Sequence, residues 1–201
     1  MGPIDNQHQQ REGLIRFRDC FTVDPKARSE EDLSFREIFR SFIFDPGYRV
    51  VVYYRISVYF KKARFFKRLA RITGSLILMR LCRVPGVEFR IKNEIGAGLF
   101  IYHPHDIVLG VGCKIGKNVI IYNGVTLGVR TLEAIDKNKD VSTCYPVIED
   151  GVIIFPGSKI IGPVTIGKNS IVGANSVVNK SFPENSVIAG SPARLIGNRR
   201  Y

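Results

Sequence analysis

Aliphatic residues recur at every sixth position through the second half of this 201-residue chain. From Leu109 the steps fall on Ile115, Ile121 and Leu127; after an interruption the spacing resumes at Ile148, Ile154, Ile160, Ile166, Val172 and Val178. Four places after each anchor stands a small or β-branched residue: Cys113, Val119, Val125, Val152, Ser158, Val164, Ser170 and Ser176. A helix repeats at about 3.6 residues and a strand at 2. A period of six fits neither. It is the period of a parallel β-helix, in which each hexad supplies one short side and one corner of a coil. The repeat starts near Val87 and runs to about Ile188. The charged stretch from Thr131 to Pro146 has no anchors and has to leave the coil, which predicts an extruded loop over 131–147. Long loops on a rigid scaffold are usual places for function.

The first half reads differently. Ser29-Glu-Glu-Asp32 has the form of a capping box, and a helix is expected from about Glu30 to Phe44, stopping at Asp45-Pro46-Gly47. Arg49 to Arg64 and Phe65 to Cys82 also read as helices. The organisation expected is therefore a loosely ordered stretch 1–28, a helical segment 29–86, and a β-helix over 87–201 that ends in a C-terminal tail. Two uses of the helices stay open: a cap over the open end of the β-helix, or a face turned to a membrane surface.

Charge sharpens that choice. The net charge is +12, and no Asp or Glu occurs from Tyr48 to Arg83. Such a stretch seeks an anionic partner: a phosphate-rich cofactor, anionic lipid or nucleic acid. No nucleic-acid-binding motif is present, and the aromatics fall at helical spacing, so nucleic acid is set aside. No apolar run reaches the eighteen or so residues of a membrane span, and the polar start has no signal-peptide pattern. The four cysteines are scattered and read as reduced thiols. The expected location is cytoplasmic, with peripheral contact at the inner face of an anionic membrane as an option.

Extending the anchor series backwards from Leu109 reaches His103, Ala97 and Ile91. His103 thus falls in a slot that is aliphatic or small elsewhere, and a polar residue that breaks a structural pattern is a candidate for function. His105 makes a His-x-His pair with it. With three histidines in the whole chain and no Cys or acidic set at ligand spacing, no metal site is expected.

The segment Tyr102-His-Pro-His-Asp-Ile-Val-Leu-Gly110 resembles the active-site segment of the hexapeptide-repeat O-acetyltransferases. Val125-Thr-Leu-Gly128, Gly173-Ala-Asn-Ser-Val-Val178 and Ala189-Gly-Ser-Pro-Ala-Arg194 match the same family, so the resemblance covers about residues 45 to 198. It implies a mainly β protein, a left-handed parallel β-helix with a small N-terminal helical segment. It also implies a homotrimer, or a dimer of trimers, with active sites between subunits and acetyl-CoA as co-substrate. His103 would be the general base that takes the acceptor hydroxyl proton as its oxygen attacks the thioester carbonyl. Glu88, fifteen residues earlier, stands where the serine O-acetyltransferase branch has an Asp that orients the base. Gly128, Gly157 and Ala174 would let the pantetheine arm approach, and Lys180 and Arg194 would meet the phosphates.

On the acceptor side the chain departs from serine O-acetyltransferases. Tyr102 stands where they have an Asp, and Cys144-Tyr145 where they have an Arg-His pair. Tyr102, His105, Asp106 and Tyr145 are the acceptor-binding candidates. Aromatic rings stack on pyranose faces, and the short basic helical segment resembles that of the capsule and colanic-acid-type O-acetyltransferases. The expectation is therefore an acetyl-CoA-dependent transfer to a saccharide hydroxyl in polysaccharide biosynthesis. The alternatives are serine O-acetylation in cysteine biosynthesis, with Asp106 and Arg130 holding the amino acid, and a non-catalytic β-helix scaffold.

Overall fold

The computed structural model describes residues 18–26, 34–62, 86–89, 92–131 and 141–199. The repeat folds as a parallel β-solenoid whose short strands stack into three sheets. Strands β1 (Val87–Phe89), β4 (Ile107–Leu109), β7 (Thr126–Gly128), β10 (Lys159–Ile161) and β13 (Val177–Val178) form the first sheet. The second is β2 (Glu94–Ile95), β5 (Lys114–Ile115), β8 (Val147–Ile148) and β11 (Thr165–Ile166). The third is β3 (Phe100–Ile101), β6 (Ile120–Ile121), β9 (Ile153–Ile154), β12 (Ile171–Val172) and β14 (Ser186–Gly190), closed by the antiparallel β15 (Ala193–Asn198).

The anchors are the inward residues. Leu109, Leu127, Ile160 and Val178 stack in register in one sheet, and Ile121, Ile154, Val172 and Ile188 in another. All of these are fully buried. Burying each aliphatic side chain is worth about 1.5–3 kcal/mol, so the register stabilises the fold as a whole. The small residues four places on are buried too, where the chain turns. At this slot Ser158 Oγ donates to Phe155 O at 2.9 Å and to Gly173 O at 2.8 Å, and Ser176 Oγ to Gly173 O at 2.6 Å. The hydroxyls thereby serve carbonyls that the tight corners leave without a ladder partner. The residue between anchor and small slot takes positive φ, as at Gly112, Asn118, Gly124, Gly151, Gly157, Asn169 and Asn175. That explains the Gly and Asn at these places.

One expectation is corrected here. Counting back from Leu109 in sixes put His103 in an inward slot. The register instead pairs Phe89 with Leu109, Ile95 with Ile115 and Ile101 with Ile121. Twenty residues separate Phe89 from Leu109, where eighteen separate Leu109 from Leu127. The first coil therefore holds two extra residues between Ile101 and Leu109. Ile101 takes the inward place and His103 is exposed.

Three helices precede the solenoid among the described residues. Helix α1 (Asp19–Lys26) lies in the stretch read as loosely ordered. Helix α2 (Phe35–Phe44) starts later than expected, because the capping box is formed by Ser34 and Glu37; Ser29 to Asp32 lie outside the described residues. It ends at Phe44 as the Pro and Gly indicate, and the same Pro opens α3 (Pro46–Lys62). Asp45 Oδ1 accepts from Gly47 N–H at 2.8 Å and Tyr48 N–H at 3.1 Å, capping that start. The helix expected over Phe65–Cys82 lies outside the described residues.

Helix α3 covers the open end of the solenoid. Val50 and Val51 join the core with Leu99 and Ile101. Tyr54 donates its hydroxyl to Asn93 O at 2.6 Å, and its ring meets Phe89 edge-on. A buried ion pair fixes α1 and α3 to the first coil together. Arg55 meets Asp24 through Nε and Nη2 at 3.0 and 2.7 Å, and donates to Ile95 O and Gly96 O at 2.6 and 2.5 Å. Asp24 Oδ1 also accepts from Gly98 N–H at 3.0 Å and Leu99 N–H at 3.2 Å. These links satisfy the backbone of a coil that has no preceding coil to pair with.

Two stability predictions follow from this packing. Asp24→Asn leaves the Arg55 guanidinium buried without its carboxylate and should cost about 3–5 kcal/mol in denaturant unfolding; a loss below ~1 kcal/mol would refute the latch. Burial pushes the Cys113 thiol up from 9.0 to about 12. The unfolded chain then releases that proton at a lower pH than the folded one, so stability should fall as pH rises through 9 towards 12. Cys113→Ala should flatten this alkaline decline relative to the wild type, and an unchanged slope would contradict it.

Candidate functional site

The two additional residues of the first coil create the feature that distinguishes it. A normal corner runs Ile121-Tyr122-Asn123-Gly124-Val125, with the left-handed residue at Gly124. In the first coil Asp106 takes that left-handed place, at φ 55°, and Ile107 follows it into the core. His103 is left-handed as well, at φ 51°. Positive φ is uncommon for any non-Gly residue, and Asp and His are among those that reach it most readily. The turn is stitched on both sides. Tyr102 N–H donates to Ile121 O at 2.9 Å, Gly124 N–H to His105 O at 3.0 Å, and Ile107 N–H to Gly86 O at 2.8 Å. Inside it, His105 N–H donates to His103 O at 2.8 Å. His103 is thus displayed outward on a short, braced turn.

Around it stand several candidates. Tyr102 is partly exposed, its ring centroid 6.4 Å from that of His103. His105 Nδ1 lies 3.5 Å from Asp106 Oδ2, and both side chains are exposed. Glu88 is exposed on β1 and pairs with Val108 of β4, the strand that follows the His103 turn. The sheet register sets Glu88, Val108, Thr126 and Lys159 in one outward row. Lys159 Nζ donates to Gly124 O at 2.5 Å and Thr126 Oγ1 at 3.2 Å, holding a cation on the coils beneath the turn. The sequence reading missed Lys159, whose place directly before an anchor marks it as outward. It also missed most of an aromatic ladder: Tyr102 stacks on Tyr122 at 4.8 Å, and Tyr122 on Phe155 at 5.2 Å. Each follows an inward Ile of the third sheet by one residue, which is the signal that was available.

Tyr145 requires correction. It was expected to meet an acceptor, but it is buried within the core cluster. Its ring fills the space over Gly110, where a Cβ would lie 2.2 Å from a ring carbon. The returning end of the extruded loop, a 3₁₀ turn at Val141–Cys144, packs at Gly112 in the same way through Ser142. Tyr145 therefore seats the returning chain on the coil after β4, and the apolar body of its ring accounts for the burial. Loop residues 132–140 lie outside the described residues.

Of the cofactor candidates, Gly128 has ordinary space around it, so a Cβ there is not excluded. Gly157 is set by its corner, at φ 75° with Asn175 Oδ1 against it. Ala174 and Arg194 are exposed, and Lys180 lies over the Phe182 ring at 5.4 Å. Among the described residues no group of three His, Cys, Asp or Glu side chains could hold a metal ion.

Residues 145–180 match the bacterial transferase hexapeptide family (six repeats). The chain is 40% identical to the serine acetyltransferase of Staphylococcus xylosus over 111 residues, 55% of this chain and 48% of that protein. It spans about half the length of the curated relatives it matches. Among solved structures, the serine acetyltransferase of Neisseria gonorrhoeae superposes with a TM-score of 0.72 at 28% identity, over 93% of this chain and 68% of that one. A serine acetyltransferase in complex with CoA gives 0.66 at 28% identity, over 94% and 72%. These likenesses overturn the saccharide acceptor and the polysaccharide pathway expected from Tyr102 and Tyr145. The chain is similar to serine acetyltransferases, and one of the two aromatic residues behind the saccharide reading is buried.

Gly110→Ala should push the Tyr145 ring and the loop off the solenoid. A loss of about 1–3 kcal/mol is expected from overpacking, together with faster proteolysis in the loop. An unchanged melting temperature and cleavage pattern would show that Tyr145 does not hold it.

Proposed function

We propose that this chain is an acetyl-CoA-dependent acyltransferase that moves an acetyl group to the hydroxyl of L-serine. The observation behind the reading is one juxtaposition: a coil lengthened by two residues to display His103, in a solenoid similar to serine acetyltransferases. In this reading His103 takes the serine hydroxyl proton while the oxygen attacks the thioester carbonyl. The tetrahedral intermediate collapses with cleavage of the C–S bond, and the proton passes from the imidazolium to the departing sulfur of coenzyme A. Holding both substrates together removes the need for an acyl-enzyme. Glu88 orients the imidazole, in the manner of the carboxylate in a catalytic triad.

Acetyl-CoA is the co-substrate. Gly128, Gly157 and Ala174 line its approach, and Lys180 and Arg194 meet its phosphates. The chain works as a homotrimer in the cytoplasm, with the groove for acetyl-CoA between subunits. The acceptor's charges need partners other than the Asp and Arg-His pair that Tyr102 and Cys144-Tyr145 replace. Asp106, on the His103 turn, takes the ammonium. Arg130, just after β7, takes the carboxylate; its Nη2 already donates to Asn179 O at 3.0 Å, which holds the guanidinium on the solenoid.

Purified protein should release coenzyme A from acetyl-CoA in the presence of L-serine and only at background rate without it. His103→Ala should lower that rate by about 10²–10⁴-fold while acetyl-CoA binding, followed calorimetrically, stays as in the wild type. Release that ignores serine would sink the acceptor assignment, and near-normal turnover of the variant would sink the base.

A further inference from the structure

Among the described residues, helix α2 has a face that neither the fold nor the proposed reaction uses. Its sequence, Phe35-Arg-Glu-Ile-Phe-Arg-Ser-Phe-Ile-Phe44, is amphipathic, and none of its residues is buried. Phe42 faces the body of the protein, with its ring 6.0 Å from Phe21 of α1 and 5.9 Å from Tyr53 of α3. Phe35, Phe39 and Ile43 are spaced by four and therefore form a neighbouring face. They are 81%, 55% and 43% exposed, and Phe44 beside them is 76% exposed. Phe35 and Phe39 stack on each other at 6.3 Å, so the patch is continuous. Leaving this much aromatic surface in water is unfavourable, and a patch of this kind marks a place where something docks.

Charge identifies the occupant. Arg36 and Arg40, also spaced by four, are exposed along the border of the apolar face. Arg49 Nη1 donates to Ile43 O at 2.7 Å, which places a third guanidinium at the C-terminal end of the helix. Among the described residues the acids of α2 and its end are engaged elsewhere: Glu37 closes the cap with Ser34, and Asp45 caps α3, while Glu30, Glu31 and Asp32 ahead of the helix lie outside the described residues. An apolar strip bordered by cations, on a helix lying flat against the protein, is the arrangement of a helix that rests in a lipid interface. A second copy would set like-charged arginines against each other across this face, whereas anionic headgroups complement them. No described helix is long and apolar enough to cross a membrane.

We propose that α2 docks the protein on anionic phospholipid surfaces, with Phe35, Phe39, Ile43 and Phe44 entering the interface and Arg36, Arg40 and Arg49 meeting the headgroup phosphates. The proposal does not rest on the acetyl-transfer reading, and the substituted residues lie outside the site proposed for it.

The test is vesicle flotation of the full chain, comparing phosphatidylcholine vesicles that contain phosphatidylglycerol with pure phosphatidylcholine. Binding should require phosphatidylglycerol and fall steeply at about 0.5 M salt. Phe35→Ser with Phe39→Ser should weaken it roughly tenfold or more. Arg36→Gln with Arg40→Gln should do the same, since each cation near an anionic surface adds about 1 kcal/mol. Circular dichroism and coenzyme A release should match the wild type in both variants, which separates docking from folding. Failure of the wild type to float, or flotation unchanged by the Phe substitutions, would overturn the proposal. Self-association that disappears in the Phe variant, without lipid binding, would assign the face to a second copy and overturn it as well.

Discussion

The structure depends on one steric constraint. The interior of the solenoid is narrow and takes one apolar residue per side, so each coil must return an apolar residue to the same place; among the described residues only the first and last coils put a Phe there, Phe89 and Phe182. Leu109, Leu127, Ile160 and Val178 satisfy this in one sheet and Ile121, Ile154, Val172 and Ile188 in another. A solenoid therefore cannot absorb extra residues in its sides. It can absorb them only at corners, where the chain faces solvent. Departures of that type are the two residues at the His103 turn, the long excursion between Leu127 and Ile148, and the last coil, where Phe182 pairs with Ile166 and Ile188 with Val172 after a shortened corner.

The first two lie next to each other in space. The His103 turn leads into β4, and the excursion returns to pack on Gly110 and Gly112, directly after β4. An invariant scaffold thus brings two irregular elements to one edge, where outward residues of adjacent coils stand in fixed register. The N-terminal helices contribute rigidity at the same end. Asp24 and Arg55 bond the exposed backbone of the first coil from Ile95 to Leu99, and Ile101 and Tyr102 follow immediately. The latch therefore holds the strand from which the His103 turn departs.

Much of this was legible in the residues. The six-residue period carries the inward anchors and the small corner slots, because both are imposed by the same steric rule. Asp45-Pro46-Gly47 marked the end of α2 correctly. The position of His103 was read as a break in the anchor series, yet its cause was different. Counting in sixes assumes coils of equal length, and a two-residue insertion at a corner leaves no gap in composition. Ile101 and Ile107 held the information, since both are aliphatic and flank the polar run, but only the register with Ile121 and Leu109 decides between them. Helix α1 was missed because its stability is tertiary: Asp24 is a poor helix former and a buried charge, explained only by Arg55 and two amides far along the chain. Tyr145 was misassigned because its burial depends on Gly110, which lies outside the loop.

The central claim is that the two inserted residues exist to display His103. Deleting Pro104 and His105 tests it most directly, because the shortened segment Tyr102-His103-Asp106-Ile107 then matches the regular corner Tyr122-Asn123-Gly124-Val125 and keeps the histidine. The account predicts a folded protein with an unchanged or slightly higher melting temperature and serine-dependent coenzyme A release reduced by about 10²-fold or more. A deletion variant that folds and turns over at the wild-type rate would contradict it.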